Sequence, residues 1–200
     1  MRADALTALC RDVEERARSI AARAGGWPCR KGCDACCRRL ASVPRLTRPE
    51  WDLLSQGCAA LPAAVRREVS RRLEGLAVAV RPVVCPLLDL SSGACLVYFH
   101  RPAACRAYGF YVQRDAGLYC GIIQERVETG EYRDVVWGNY GALERRLGEL
   151  GEARDLRDWF GSCHRMDRAE TDSSPIPPPA LRSSAWQPAA GSPTSTTAAE

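Results

Sequence analysis

This 200-residue chain predicts an α+β fold, mainly helical, in which helices wrap a short β-hairpin and a small cysteine-rich core. Three observations lead there. Long stretches repeat apolar residues at gaps of three and four, the period of a helix with one buried face. A single stretch, 83–99, places β-branched and apolar residues on either side of Ser91-Ser-Gly93, a hairpin signal. The chain also carries 11 cysteines, four of them between Cys29 and Cys37, a density no ordinary core needs. The length suits about one domain, and a hydrophobic fraction of 46% is enough for a packed interior.

The elements follow in chain order. Leu6, Leu9, Val13, Ala17, Ile20 and Ala24 give an amphipathic helix over 4–24, ended by Gly25-Gly26. Thr47-Arg-Pro-Glu50 fits a capping box, so a short helix runs from there to Gln56 and stops at Gly57. Pro62 opens a longer helix with the stripe Val65, Val69, Leu73, Leu76 and Val80, and Pro82 closes it. The hairpin of 83–90 and 94–99 would place Cys85 and Cys95 on paired strands, with Asp89 closing its turn. Pro102 opens a helix bearing Cys105. A further strand is expected at 108–112, turning at Asp115-Ala-Gly117 into Leu118-Tyr-Cys120. Residues 131–160 read as helix in two pieces, broken near Gly148 and Gly151, with Leu143, Leu147 and Leu150 on the first apolar face. From Glu170 onward Ser, Thr, Pro and Ala dominate, and that composition predicts disorder. The expected organisation is an N-terminal helix, 1–26, packing on the core; a cysteine-cluster domain, 27–125; C-terminal helices, 126–169; and a tail, 170–200.

Thiolates are soft ligands that favour zinc, copper(I) or iron–sulfur clusters. The gaps in Cys29-x3-Cys33-x2-Cys36-Cys37 let one loop aim several sulfurs at a common point. Cys85, Cys95 and Cys105 follow with nine residues between each, and Cys120 extends the set to eight candidate metal ligands. One tetrathiolate site needs four and two sites need eight; the count leaves both open. Adjacent side chains diverge by about 100° on a helix and oppose one another on a strand, so Cys36 and Cys37 serve different metals or one of them only packs. Arg30, Lys31, Arg38, Arg39, Arg101 and Arg106 flank these positions and would offset the negative charge of bound thiolates. Nine-residue gaps exceed the two to four residues of zinc knuckles, which favours an iron–sulfur cluster over zinc. Cys29-x3-Cys33-x2-Cys36 also matches the cluster spacing of radical S-adenosylmethionine enzymes. The repeated βα units of that class are absent, and Ala35 stands where an aromatic is usual.

Taken together, Cys29-x3-Cys33-x2-Cys36-Cys37, Cys85-Pro-Leu-Leu-Asp89, Gly93-Ala-Cys95-Leu-Val-Tyr98 and Arg101-Pro102-x2-Cys105-Arg106-x-Tyr108 resemble the YkgJ-like cysteine-cluster family, a zinc- or iron-chelating domain of the CxxCxxCC type. The resemblance covers roughly residues 27–125 and implies metal binding by these cysteines. Some relatives are named iron–sulfur oxidoreductases, and the flagellin lysine N-methylases resemble the domain too, so an enzymatic role stays open beside a structural one.

The remaining candidates read more plainly. Cys10 and Cys58 have no partner nearby and are expected to pack as small hydrophobes, in the core or partly exposed. Cys163-His164 stands alone and reads as a stray pair. His100 is expected at the surface or hydrogen-bonded, and Tyr98, Tyr108, Tyr111 and Tyr119 around the site. Net charge is +4, with −2 in the tail and +6 before it, nearly all of it arginine; Lys31 is the only lysine. No recognised nucleic-acid motif accompanies that excess, so the expected partner is a metal ion or cluster, with no nucleic acid and no membrane, and the sequence names no protein partner. A charged N-terminus without an apolar run predicts no signal peptide, and no stretch approaches a membrane span. A reducing cytoplasm is the expected setting, where clustered cysteines bind metal more often than they form disulfides.

Overall fold

The computed structural model describes residues 1–76, 81–114 and 116–160. Val80, Asp115, Cys163, His164 and the 170–200 tail lie outside them. The described part is mainly helical with a few two- and three-residue strands.

The periodic stretches become helices. α1 (Arg2–Arg23) buries Leu6, Leu9, Cys10, Val13 and Ile20 on one face. α2 (Arg48–Ala59) starts at the expected box, where the Thr47 N–H and hydroxyl both donate to Glu50 Oε2 at 2.9 Å. It does not stop at Gly57. The imidazole of His100 lies so close to that backbone that a Cβ at position 57 would stand 2.7 Å from Cγ of the ring. Gly57 is there for close approach, and the helix runs one turn further than its glycine suggests. α3 (Ala63–Gly75) follows Pro62 and buries Val69 and Leu73.

The 83–99 stretch departs from its expected form. Leu88 and Cys95 make a single bridge and no ladder follows, so Cys85 and Cys95 are not on paired strands. Pro86 removes a donor, and the Leu88 N–H donates to the Cys85 carbonyl at 3.1 Å, which turns the chain where a strand would continue. Asp89 closes the next turn as expected, accepting from the hydroxyls of Ser91 (2.7 Å) and Ser92 (2.5 Å).

A single 3₁₀ turn at Tyr98–His100 leads into α4 (Ala103–Ala107), capped by Pro102. The real hairpin is the later one: β2 (Tyr111–Gln113) pairs antiparallel with β3 (Ala116–Leu118). α5 (Gly121–Glu128) was not expected; the Cys120 carbonyl accepts from Ile123 and Gln124 to start it. Residues 131–137 are turns and irregular chain where helix was expected. Next, β4 (Gly138–Asn139) lies parallel to β2, and α6 (Tyr140–Leu150) is capped by the Asn139 side chain. α6 runs through Gly148 and breaks at Gly151. β5 (Arg154–Asp155) pairs antiparallel with β1 (Arg45–Leu46). The helical segment 156–160 is pinned there by Trp159 Nε1, which donates to the Leu46 carbonyl at 2.9 Å.

Three apolar clusters result. One joins α1, α4 and α6 through Leu6, Leu9, Val13, Ala103, Ala107 and Leu143; Tyr111 belongs to it, not to the cysteine site. A second gathers Leu46, Trp51, Leu54, Leu73, Leu87 and Val97, and Cys58, Cys85 and Cys95 pack against it. The third stacks Trp27 on Tyr132 (4.5 Å between rings) beside Ile20 and Ile123, with Cys29 and Tyr119 at its edge.

Candidate metal centre

Short hydrogen-bonded turns, not regular elements, position the first four cysteines. The Cys33 N–H donates to the Arg30 carbonyl (3.0 Å), and the Arg38 N–H to the Asp34 carbonyl (2.9 Å), so a lone helical turn carries Cys36 and Cys37. Their sulfurs stand 3.9 Å apart. Leu40 and Val83 exchange both backbone hydrogen bonds at 2.9 Å, and the Cys85 N–H donates to the Cys37 carbonyl at 2.7 Å. That pairing joins segments more than 40 residues apart and sets the Cys85 thiol against Cys37. The Leu88–Cys95 bridge then brings Cys95 to the same place.

On the other side, Gly109 adopts φ +90° and its α-carbon lies directly under the Cys29 sulfur, where a Cβ would collide. Glycine is required there for both reasons. Gly93 makes a similar approach: a Cβ would stand 2.8 Å from the Gly32 carbonyl oxygen, locking the 89–95 turn onto the first cysteine loop.

Electrostatic neighbourhoods sort the sulfurs. Burial first, then the charges of Cys120, Cys33 and Cys36, push the Cys29 thiol up to about 12, with Arg101 opposing. Cys36 is raised by its contact with Cys37 and then by burial. For Cys37 the contact with Cys36 acts downward, but the bond to Cys85, burial and the charges of Cys85 and Cys95 outweigh it, to about 12. Cys95 is raised by burial and by Cys36, again against Arg101. Cys105 is the one residue of the set with an exposed surface, though its sulfur is enclosed. It too is raised, by the protein bulk around it and then by Cys37, Cys95 and Cys36. Tyr108 is pushed up to about 12 by burial and by Cys36, Cys120 and Cys29. Pairwise, these influences link the eight expected positions through Cys36 and Cys37. Cys29, Cys33 and Cys120 gather on the Cys36 side, and Cys85, Cys95 and Cys105 on the Cys37 side.

The sulfurs are neighbours without being arranged for coordination. Among the described residues, no three Cys, His, Asp or Glu side chains surround one point as metal ligands do. Neutral thiols carry no charge to hold a cation, and the raised pKa values of Cys29, Cys36, Cys37, Cys95 and Cys105 keep those five neutral at ordinary pH, so binding has to expel their protons. The donor set fits a thiophilic centre: thiols of one type, partly buried, with the Arg101 guanidinium acting on Cys29, Cys95 and Cys105.

Several flanking residues do other work. Arg38 pairs with Asp34 (2.5 Å). Arg106 is buried and turns away from the sulfurs: it pairs with Glu14 on α1 and donates to the Phe99 and Arg101 carbonyls at 2.5 and 2.7 Å. Buried Glu50 caps α2 with one oxygen and accepts from Ala103 N–H (3.0 Å) at the start of α4 with the other. Both residues fix the helix that carries Cys105, and neither role was readable without the tertiary contact. Cys10 is core, as expected. Cys58, expected to stand without a partner, lies where the charge of Cys95 acts on it, and burial raises it to about 11.

The comparisons with known proteins agree with this chemistry. A family model, CxxCxxCC, described as "Putative zinc- or iron-chelating domain", matches residues 28–132, and so spans the eight cysteines. No curated protein and no solved structure matches the chain. With more than half its length under that model, the chain belongs to the CxxCxxCC family of zinc- or iron-chelating domains.

Proposed function

We propose that Cys29, Cys33, Cys36, Cys37, Cys85, Cys95, Cys105 and Cys120 hold an iron–sulfur centre. The cysteine-cluster domain of 27–125 builds it, and the helices of 1–26 and 126–169 support it. One observation carries this reading: sulfurs from separate segments lie within one another's electrostatic reach around Cys36–Cys37, where burial and neighbouring sulfurs together disfavour the thiolates of Cys29, Cys36, Cys37 and Cys105 unless a cation shares them. An iron–sulfur centre supplies redox chemistry when bound. The protein's share is to present the thiols, release their protons and set Arg101 beside the resulting negative charge.

Zinc is the second reading, favoured by the family description, which names zinc beside iron. It would staple the loops and need no access. The nine-residue gaps between Cys85, Cys95 and Cys105, longer than those of a zinc knuckle, favour the iron–sulfur reading. Anaerobic purification followed by iron, sulfide and zinc analysis and a visible spectrum tests both. Iron with inorganic sulfide and broad visible absorption is the expected result; a colourless, zinc-loaded protein selects the second. Cys→Ser changes at Cys29, Cys33, Cys85 and Cys105 should each lower metal content. Full metal content in all four would remove the proposal.

A further inference from the structure

We infer that the surface beside the cysteine patch, with Phe99 as its anchor, docks a protein partner whose contact face is acidic around an apolar recess. Phe99 is 74% exposed, the only aromatic among the strongly exposed apolar side chains of the described residues. Its exposure is built in. The His100 N–H donates to the Val97 carbonyl (2.8 Å), Arg101 Nε to the Tyr98 carbonyl (2.9 Å), and Arg106 to the carbonyls of Phe99 and Arg101. Arg106 is itself buried and held by Glu14 of α1. A loop free to relax could turn the residue inward; here a buried guanidinium fixes the Phe99 backbone, and Tyr98 meets the exposed ring edge-on at 5.6 Å. A rigid aromatic loses little freedom on binding, which is what makes such side chains interface anchors.

The flanks define the partner's charge. The Lys31 ammonium lies 5.5 Å from the Phe99 ring and 5.9 Å from Tyr98, and the Arg101 guanidinium covers the Tyr98 face at 3.6 Å. Neither cation has a carboxylate partner among the described residues, and nearby Asp34 is taken by Arg38. A second copy of this chain would meet like charge with like charge. Single-stranded nucleic acid stacks successive bases on successive rings, and here one ring only is free, because Arg101 occupies the face of Tyr98. An acidic protein surface meets both the cations and the ring. Arg101 also acts on Cys29, Cys95 and Cys105, so a partner seated here lies within electrostatic reach of the sulfurs.

The test uses the metal-loaded full chain and three fluorescent probes: a short glutamate-rich peptide with interspersed leucines, its lysine-rich counterpart, and an oligothymidylate, read by anisotropy at low and physiological ionic strength. The expected result is binding of the acidic peptide alone, weakened about tenfold or more by Phe99→Ser and several-fold by Lys31→Glu, the second effect shrinking with salt. Val136→Ser, an exposed apolar change outside the patch, should leave it unchanged. Unchanged metal content in each variant shows that the sulfur site is intact. Equal binding of the basic peptide or the oligonucleotide, indifference to Phe99→Ser, or a dimer that Phe99→Ser dissolves would each overturn the inference.

Discussion

The region built on α1, α4 and α6 and the region built on 27–40 and 83–101 are held together by different physics. In the first, Leu6, Leu9, Val13, Ala103 and Leu143 are almost dry, and full burial of a leucine or valine contributes roughly 1.5–3 kcal/mol. Its order comes from its own side chains. The second region has one 3₁₀ turn, two isolated bridges and a row of single hydrogen-bonded turns. It gathers half-buried thiols, and burial first, then the charges of neighbouring sulfurs, opposes ionisation of Cys29. Helix-on-helix packing explains the first region; in the second, Val83, Leu87, Leu88 and Val97 are as dry, but the loops that carry the thiols are tied by single hydrogen bonds, so a centre bound there would add what regular structure does not.

Stripping metal from the protein is the largest test of that contrast. Hydrogen exchange at Val83, Cys85 and Leu96 should accelerate by orders of magnitude, while Val13 on α1 keeps its protection, because binding energy is folding energy only where the metal sits. Equal loss in both regions would erase the distinction. Next in size, Leu9→Ala should destabilise by about 2–5 kcal/mol in a denaturant titration while metal content stays full. Cys37→Ser should do the reverse and empty the site.

Smaller effects sharpen it. Gly109→Ala places a methyl group against the Cys29 sulfur at φ +90°; such a strained position costs about 1–3 kcal/mol, and metal content should fall with it. Gly148→Ala, in α6 with open space around it, should instead stabilise by about 0.5–1 kcal/mol. Least of all is Asp89, whose carboxyl is held down to about 2 by the Ser92 hydroxyl, then the Ser91 hydroxyl and N–H. A depressed carboxyl stabilises the fold above its unfolded value of about 4. That contribution fades as pH falls toward 2. Ser92→Ala should move the Asp89 titration upward in an NMR pH series without touching metal content.

How much was legible follows the same divide. α1, the Thr47–Glu50 box and the Pro102 start of α4 were readable because local rules and burial agree there. The 83–99 stretch was misread as a ladder, since its β-branched residues outvoted Pro86 and the Asp89–Ser92 turn. α5 escaped because its stripe is thin: Ile123 is buried and Ile122 is exposed. Residues 131–137 were read as helix with the stretch that follows, although the apolar face named for it, Leu143, Leu147 and Leu150, begins only later. The eight sulfurs were named from spacing, yet spacing was silent on Gly109, Glu50 and Arg106, each of which acts on a residue far along the chain.

By itself the sequence determined the helical faces, the thiol inventory and its soft-metal chemistry, because periodicity and ligand type are local properties. Only the tertiary structure decided which sulfurs are neighbours, which arginine faces them and which aromatic is held in water. Those depend on contacts such as Leu40–Val83 and Glu14–Arg106, where the energy belongs to a pair of distant residues and neither residue alone encodes it.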